Sequence, residues 1–491
     1  MLPPANLLLT NARVLTMDTR QPLAEAVAIR GEYIIAVGSR SESASLKRPN
    51  TRVIDCQGLT LLPGFIDAHC HLLALASSLT GIDCSPEDTP SIVELKKSIL
   101  KQAQITPVGH WIRGYGYDER SLVERRHPNR TDLDEVAPQH PVRLNHRSGH
   151  ATVLNTLGLK LAGIHRDTAD PVEGVIERDG VTGQPTGVML EMSGFLRDRL
   201  GSKGDPAEFE AGVAKANQNL LKYGVTSVQD AGPGNDLARW STFQDLVTTE
   251  KLQARVTMMA GATHLEEFAA AGVSWGGGDD QLRLGHAKIM LTLTTGSLQP
   301  DAEELGRLVA AAHRAGFPVA IHAVEAEAVA AAAQTLQKHP GIAPSQEPGR
   351  PALGIAPDRI EHCSECPPEL IAQVKRSGAA VVTQPGFIYW NGDSYLERVE
   401  PGLLPYLYPI GALARAGVPI GFGSDAPVID PNPWPGIYSA ITRLTRQGSH
   451  LFNGAGSPGI RQIAVLDALR MYTVGGAWAE GLPVPPSLDW M

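Results

Sequence analysis

The sequence predicts an α/β protein built as a (β/α)8 TIM barrel, and two observations carry this prediction. Apolar runs of strand length alternate with helical stretches beyond residue 60, and most are too apolar for strands exposed on one face. Polar residues stand at the carboxyl ends of several runs, where barrel enzymes gather their active sites. The eight predicted strands are Leu61–Asp67, Val225–Asp230, Arg255–Ala260, Leu284–Met290, Val319–His322, Arg359–His362, Ala380–Gln384 and Val418–Ser424.

Further segments complete the predicted organisation. Residues 1–60 read as short strands, the N-terminal part of a small flanking β domain, and residues 61–475 form the barrel. About 150 residues separate the first two barrel strands, more than a loop and a helix need. We therefore expect an inserted subdomain at about residues 75–205, over the C-terminal face of the barrel. Residues 476–491 are predicted to be a truncated C-terminal tail that leaves the flanking domain incomplete.

The composition and charge of the chain argue against two classes of function, nucleic-acid binding and membrane spanning. A formal net charge of −9 without a basic block argues against nucleic-acid binding, and no apolar run is long enough to predict a membrane span. The N-terminus lacks the pattern of a signal peptide, and five scattered cysteines suit a reducing compartment, so we expect a cytoplasmic protein. Cys363 and Cys366 are interpreted as structural thiols. The expected partners are a small-molecule substrate and, as a homodimer, a second copy of the chain.

The first barrel strand leads into a His-x-His pair. Side chains alternate along a strand, so Asp67, His69 and His71 are expected on one face. Two imidazoles on one face can hold a divalent metal, and Asp67 is placed to orient one of them. Taken alone, the pair also fits two polar residues at a strand end.

Metal-ligating residue types recur at other strand ends, which favours a shared site at the barrel mouth. Neutral imidazoles suit zinc, so the sequence predicts one or two divalent metal ions, with zinc the first choice. Either of the later histidines alone would more often be a core residue. The candidate metal ligands are His69, His71, Lys288, His322, His362 and Asp425.

Two of these candidates have distinct chemistry. Lys288 has no lone pair as an ammonium, but a buried lysine is driven towards the neutral amine. That amine can capture carbon dioxide as a carbamate that bridges two metals; pairing with a carboxylate is an equal alternative. Metals lower the pKa of bound water and polarise a carbonyl. Asp425 is the candidate catalytic residue that takes the proton and passes it to the departing nitrogen or oxygen.

The insert offers a second candidate catalytic residue. His150 ends a polar, glycine-containing stretch that begins at Asn145, and it is a candidate contact to the substrate or transition state. A solvated loop is the alternative. His286 faces the barrel interior, where packing is favoured over a pocket role. Further pocket candidates are Tyr117, Asp118, Tyr389 and Trp390.

Short motifs spread over nearly the whole chain match those of one known family. They are Leu62–His71, Gly149–His150, Pro185–Val188, Lys288, Ile321–Ala323, Arg359–His362 and Gly423–Val428. The chain thus resembles the amidohydrolase superfamily, and within it the YtcJ-like branch, amidohydrolase family 3, which includes N-substituted formamide deformylases.

The resemblance implies a TIM barrel flanked by a β-sandwich built from both chain ends. It also implies a mono- or binuclear centre, with Lys288 at the position carboxylated in binuclear members. Glu191 follows the Pro-Thr-Gly motif, as in relatives, without an assigned role. The implied ligands are His69, His71, His322, His362 and Asp425.

The predicted function is that of a metal-dependent hydrolase that cleaves a non-peptide C–N bond in an amide or N-substituted formamide. The same fold also supports an ester or lactone hydrolase or a metal-assisted decarboxylase, because pocket residues and not the barrel decide the reaction. A non-catalytic, degenerate paralogue is the remaining alternative.

Overall fold

The structure is a computed structural model that describes residues 3–171, 174–200, 206–293, 296–341, 356–451 and 463–482. The last residues of the predicted tail, 483–491, lie outside this range. The chain opens with two small sheets, one of strand order β5-β4-β1-β6 and one of order β3-β2-β7. Their elements are β1 Leu7–Thr10, β2 Arg13–Leu15, β3 Leu23–Ala24, β4 Ala26–Arg30, β5 Tyr33–Gly38, α1 Arg40–Ala44, β6 Arg52–Asp55 and β7 Thr60–Leu61.

The first barrel strand, β8, spans Phe65–Cys70, later in the chain than predicted. Leu61 belongs instead to β7, and Pro63 and Gly64 separate the two strands. Proline has no backbone N–H to donate to a ladder, which explains the interruption. Consequently His69 lies within the strand, and His71 stands directly after it, before helix α2 Leu72–Ser78.

A separate six-stranded sheet follows, in the order β13-β14-β12-β11-β10-β9. It has its own buried core, which includes Leu95, Leu133 and Leu144. Residues Val175–Leu190 form a hairpin, the antiparallel pair β13 and β14. The elements are β9 Ile82–Asp83, α3 Ile92–Ala103, β10 Ile112–Tyr117, α4 Arg130–Asp134, β11 Val142–His146, β12 Ala151–Leu154, α5 Thr156–Leu161, β13 Val175–Arg178, β14 Pro185–Leu190 and α6 Ser193–Leu200.

The remaining strands pair in parallel with β8 in an eight-stranded sheet of order β21-β20-β19-β18-β17-β16-β15-β8. This confirms the predicted (β/α)8 architecture. The elements are α7 Pro206–Lys222, β15 Val225–Asp230, α8 Leu237–Thr248, β16 Arg255–Gly261, α9 Leu265–Ala270, β17 Leu282–Met290, α10 Ala302–Arg314, β18 Val319–Ala323, α11 Ala326–Lys338, β19 Arg359–His362, α12 Pro368–Ser377, β20 Ala380–Thr383, α13 Gly386–Arg398, α14 Ile410–Arg415, β21 Ile420–Phe422, α15 Pro433–Thr442, α16 Val465–Met471 and α17 Val474–Ala479.

Burial explains why the barrel strands were recognisable. Every residue of β18, β19, β20 and β21 is buried, as expected of parallel strands covered by helices. β18 and β20 are apolar except for His322 and Thr383, whereas three of the four residues of β19 are charged or polar. Within the described residues, no helix combines the length and apolar character that a membrane crossing requires.

One buried carboxyl group couples the fold to pH. Glu480, at the end of α17, accepts a hydrogen bond from the Thr257 hydroxyl, 2.7 Å from Oγ1 to Oε2. Burial raises the pKa of Glu480 to about 7. The folded protein therefore keeps a proton over a pH range in which the unfolded chain has released it.

We expect Glu480→Gln to match wild type in stability near pH 4 and to exceed it by up to about 3 kcal/mol near pH 8. Because the folded-state pKa is the higher one, wild-type stability falls as pH rises from about 4.5 to about 7 and then levels off. The amide does not titrate. Unfolding of both proteins at several pH values measures the difference.

The exposed Glu397→Gln is the matched control and should stay within about 0.5 kcal/mol of wild type. A difference between Glu480→Gln and wild type that does not change with pH would contradict the prediction.

Candidate metal centre and active site

Three side chains meet where the first and last barrel strands adjoin. Nε2 of His69 lies 3.4 Å and Nε2 of His71 lies 3.1 Å from Oδ1 of Asp425. One ligand atom from each residue falls within 4.8 Å of the other two. His69 is almost fully buried, whereas the His71 side chain is 29% exposed. The arrangement offers a divalent ion two imidazoles and a carboxylate, with access from one side.

The backbone brings Asp425 to the two histidines. Asp425 N–H donates to the His69 carbonyl at 2.7 Å, and His71 N–H donates to the Ala426 carbonyl at 2.8 Å. A Cβ at Gly423 would lie only 2.6 Å from the backbone nitrogen of His69, so this close approach of the two segments requires glycine. Asp425 itself has a φ of 60°, a left-handed conformation uncommon for non-glycine residues and found often at functional sites.

Asp67 does not orient a histidine ring, contrary to the sequence-based expectation. Its carboxylate accepts the Ser424 backbone N–H at 2.9 Å and the Ser424 hydroxyl at 2.5 Å. It also accepts the His69 backbone N–H at 3.3 Å. Asp67 therefore fastens the loop that carries Asp425 to β8, and its effect on the site passes through the backbone.

The partner of the His69 ring is Glu361, which the sequence analysis did not single out. Nδ1 of His69 forms a short hydrogen bond with Oε2 of Glu361, and both side chains are buried. Arg359 binds the same carboxylate through Nε and Nη2, at 2.5 and 3.2 Å. Its guanidinium also reaches the Ala68 carbonyl at 2.6 Å and contacts Gln229. With Nδ1 held by Glu361, Nε2 of His69 is left to face Asp425.

The remaining ligand candidates lie beside this group. The ring centroid of His362 is 4.7 Å from that of His69 and 4.3 Å from that of His322. Nδ1 of His362 is 2.9 Å from Oε1 of Gln384, an acceptor that leaves Nε2 without the ring proton. Among the described residues, Nε2 of His362 and Nζ of Lys288 are buried atoms with no hydrogen-bond partner.

For four of the six candidate ligands, the electrostatic environment favours the protonation state that binds a metal. Burial lowers the pKa of His362 to about 3 and holds that of His322 well below its usual value. Burial likewise lowers the pKa of Lys288 to about 8. Burial opposes the charge of Asp425, but the hydrogen bonds from His69 and His71 outweigh it and hold its pKa well below normal. Neutral imidazoles and an ionised carboxylate are the forms that coordinate.

The insert brings His150 to the same place. Its ring centroid is 6.0 Å from that of His322, and its side chain is 41% exposed. Nδ1 of His150 lies 2.8 Å from Oε1 and 3.0 Å from Oε2 of Glu191. His150 therefore stands at the barrel mouth with a carboxylate beside its Nδ1.

His286 lies elsewhere in the barrel. Its Nε2 is 3.0 Å from the Pro357 carbonyl, which supports the packing role.

Cys363 and Cys366 are buried free thiols, in keeping with a structural role. Tyr389 and Trp390 contact each other edge to face, with centroids 5.2 Å apart.

A second cluster of ligand types occurs in the insert, formed by Asp118, Glu119 and His146. Nε2 of His146 is 2.9 Å from Oε2 of Glu119. However, Nδ1 of His146 accepts the Ser148 backbone N–H at 3.1 Å, so the ring proton belongs on Nε2, facing the carboxylates. The turn before His150 therefore fixes the orientation of the His146 ring, with Nε2 towards the carboxylates.

Comparison with known proteins places the chain in a family. The model of the amidohydrolase family matches residues 52–484. N-substituted formamide deformylase of Arthrobacter pascens is 28% identical over 97% of this chain and 90% of its own length. The putative amidohydrolase YtcJ of Bacillus subtilis is 27% identical over 94% of this chain and 88% of its own length.

A structural comparison agrees on the fold. A metal-dependent hydrolase from Pyrococcus horikoshii superposes with a TM-score of 0.74 at 22% identity, over 96% of this chain and 93% of its own. The chain belongs to the amidohydrolase family, and the predicted resemblance and enzyme class, that of a hydrolase, are confirmed.

We expect Glu361→Gln to weaken zinc binding by about 10- to 100-fold, because His69 loses the carboxylate that orients its ring. Glutamine keeps one oxygen for Arg359 but removes the negative charge, so the variant should also unfold at a lower temperature than wild type. Zinc affinity is measured by competition with a chromogenic chelator.

The exposed Glu369→Gln, on α12, is the control and should bind zinc as wild type does. Thermal unfolding of the metal-free proteins separates loss of affinity from loss of structure. Unchanged zinc affinity in Glu361→Gln would contradict the assigned role.

Proposed function

We propose that the protein is a metal-dependent hydrolase that cleaves a non-peptide C–N bond, in an amide or an N-substituted formamide. The observation that carries the proposal is the group formed by His69, His71 and Asp425 at the barrel mouth. The relative from Arthrobacter pascens is named for deformylation of N-substituted formamides, which supports this class of bond.

The residues present fit one or two divalent ions, and zinc is the first choice. His69, His71 and Asp425 would hold one ion, and His322 and His362 another. The buried, unpartnered Nε2 of His362 is the kind of atom that a metal satisfies. When bound, the metal supplies Lewis acidity, which activates water and polarises the scissile carbonyl.

Asp425 is proposed to move the proton. Its Oδ1 faces both imidazoles, so the other oxygen is left for a proton taken from the attacking water. Asp425 then donates this proton to the departing nitrogen, which leaves as a neutral amine. His150, exposed at the mouth, is proposed to contact the substrate at the reacting carbonyl.

Lys288 is proposed to be carboxylated. Its side chain is 2% exposed, and its Nζ has no hydrogen-bond partner in the part of the chain that the structure describes. A pKa of about 8 makes the neutral amine accessible near neutral pH. The amine attacks carbon dioxide, loses a proton and becomes a carbamate anion, which could bridge two ions.

We expect about two metals per chain in protein purified with bicarbonate, and about one in Lys288→Met, which removes the amine but keeps the volume. Elemental analysis measures both. The exposed Lys375→Met serves as the control for loss of a positive charge. Equal metal content in wild type and Lys288→Met would remove the carbamate from the proposal.

We expect Asp425→Asn to keep the fold and to lose turnover by at least about 10³-fold, since the amide can neither accept nor return the proton. The assay is a panel of amides, N-substituted formamides, cyclic imides, esters and lactones with metal-loaded protein. Unchanged turnover in Asp425→Asn would refute the mechanism. If only esters or lactones react, the proposed metal centre would still stand, but the bond that the enzyme cleaves would be an ester C–O bond and not a C–N bond.

A further inference from the structure

The contact between His150 and Glu191 is a carboxylate–imidazole pair built entirely within the insert. Both carboxylate oxygens lie within 3.0 Å of Nδ1 of His150. His150 immediately precedes β12, and Glu191 immediately follows β14, the strand that pairs with β12. The Glu191 side chain is only 14% exposed, so its carboxylate is held against the ring and largely away from water.

The contact fixes which ring nitrogen carries the proton. An ionised carboxylate only accepts hydrogen bonds, so Nδ1 of His150 must be the protonated nitrogen. Nε2 is then the atom available for a substrate. The ring centroid lies 6.0 Å from that of His322, one of the candidate metal ligands, so the ring stands beside the candidate metal centre.

The side-chain contact does more than hold two strands together. The Glu191 backbone N–H already donates to the His150 carbonyl at 2.8 Å, and Ala151 pairs with Leu190 in the adjoining ladder. Glu191 also has a φ of 54°, a left-handed conformation that is uncommon in non-glycine residues. Such a conformation persists where the surroundings hold it, and here it directs the carboxylate at the ring.

We propose that Glu191 is a positioning residue, which holds His150 in the Nδ1-protonated tautomer with Nε2 directed at the reacting amide group of the substrate. The contact between His150 and a substrate rests on the proposed function. The control of the His150 tautomer by Glu191 does not. Glu191 has no direct role in bond cleavage; it acts through His150.

The first test reads the tautomer without any substrate. Zinc-loaded protein carrying ¹⁵N-labelled histidine is compared as wild type, Glu191→Ala and Glu191→Gln, with the His150 signals assigned from their loss in His150→Ala. At a pH at which His150 is neutral, wild type should show a protonated Nδ1 and an unprotonated Nε2. Glu191→Ala should shift towards a mixture of tautomers, and Glu191→Gln should retain the wild-type pattern, because its side-chain oxygen can still accept from Nδ1.

Glu177→Gln is the matched control, because this exposed carboxylate lies on β13, the strand paired with β14. It should leave the His150 signals unchanged. A His150 that keeps the wild-type pattern in Glu191→Ala would overturn the proposal. This test requires no substrate. A failure of the proposed hydrolase function would therefore not change its outcome, and the two failures can be distinguished.

The second test uses the best substrate of the panel. Glu191→Ala should lower kcat by about 10²-fold with unchanged metal content, because a misplaced catalytic group costs about this much. Glu191→Gln should recover most of the loss. In a His150→Ala background, removal of Glu191 should have no further effect. Additive losses would show that Glu191 does not act through His150 and would overturn the proposal.

Discussion

Closure of the barrel between β8 and the loop after β21 is the constraint on which the candidate metal centre depends. His69 and His71 come from the first barrel strand, and Asp425 follows the last, so the three meet only when the sheet closes. Two backbone hydrogen bonds and the close approach allowed by Gly423 make this closure. The candidate metal centre is therefore a property of the complete barrel and not of any local motif.

Buried charge supports the same region from inside the barrel. Arg359 and Glu361 are fully buried, and isolated charges in that position would be strongly unfavourable. They are tolerated because each has several partners: the guanidinium contacts Glu361, Gln229 and a carbonyl of β8, while the carboxylate also holds His69. Loss of one member would leave the others uncompensated, which ties metal binding to the integrity of the core.

The eight barrel strands could be predicted from the sequence because strand burial is a local pattern. The convergence of the candidate ligands could be predicted because each stands near the end of its strand. Partners across strands were not predictable in this way. Asp67 has the spacing of a histidine partner, yet it binds Ser424 from the far end of the chain. Glu361 holds His69 although no local pattern links them; its only signal was a second charged residue, beside Arg359, in a predicted barrel strand.

The insert and the barrel divide the site between two layers with separate hydrophobic cores. The barrel carries the six candidate metal ligands, while the insert carries His150 together with the carboxylate that orients it. Exchange of the insert between relatives would thus transfer both members of the proposed substrate-facing pair, His150 and Glu191, and would leave every candidate metal ligand in place. Such a division allows new substrate preferences to evolve by recombination of one segment, while the hydrolytic centre is inherited unchanged.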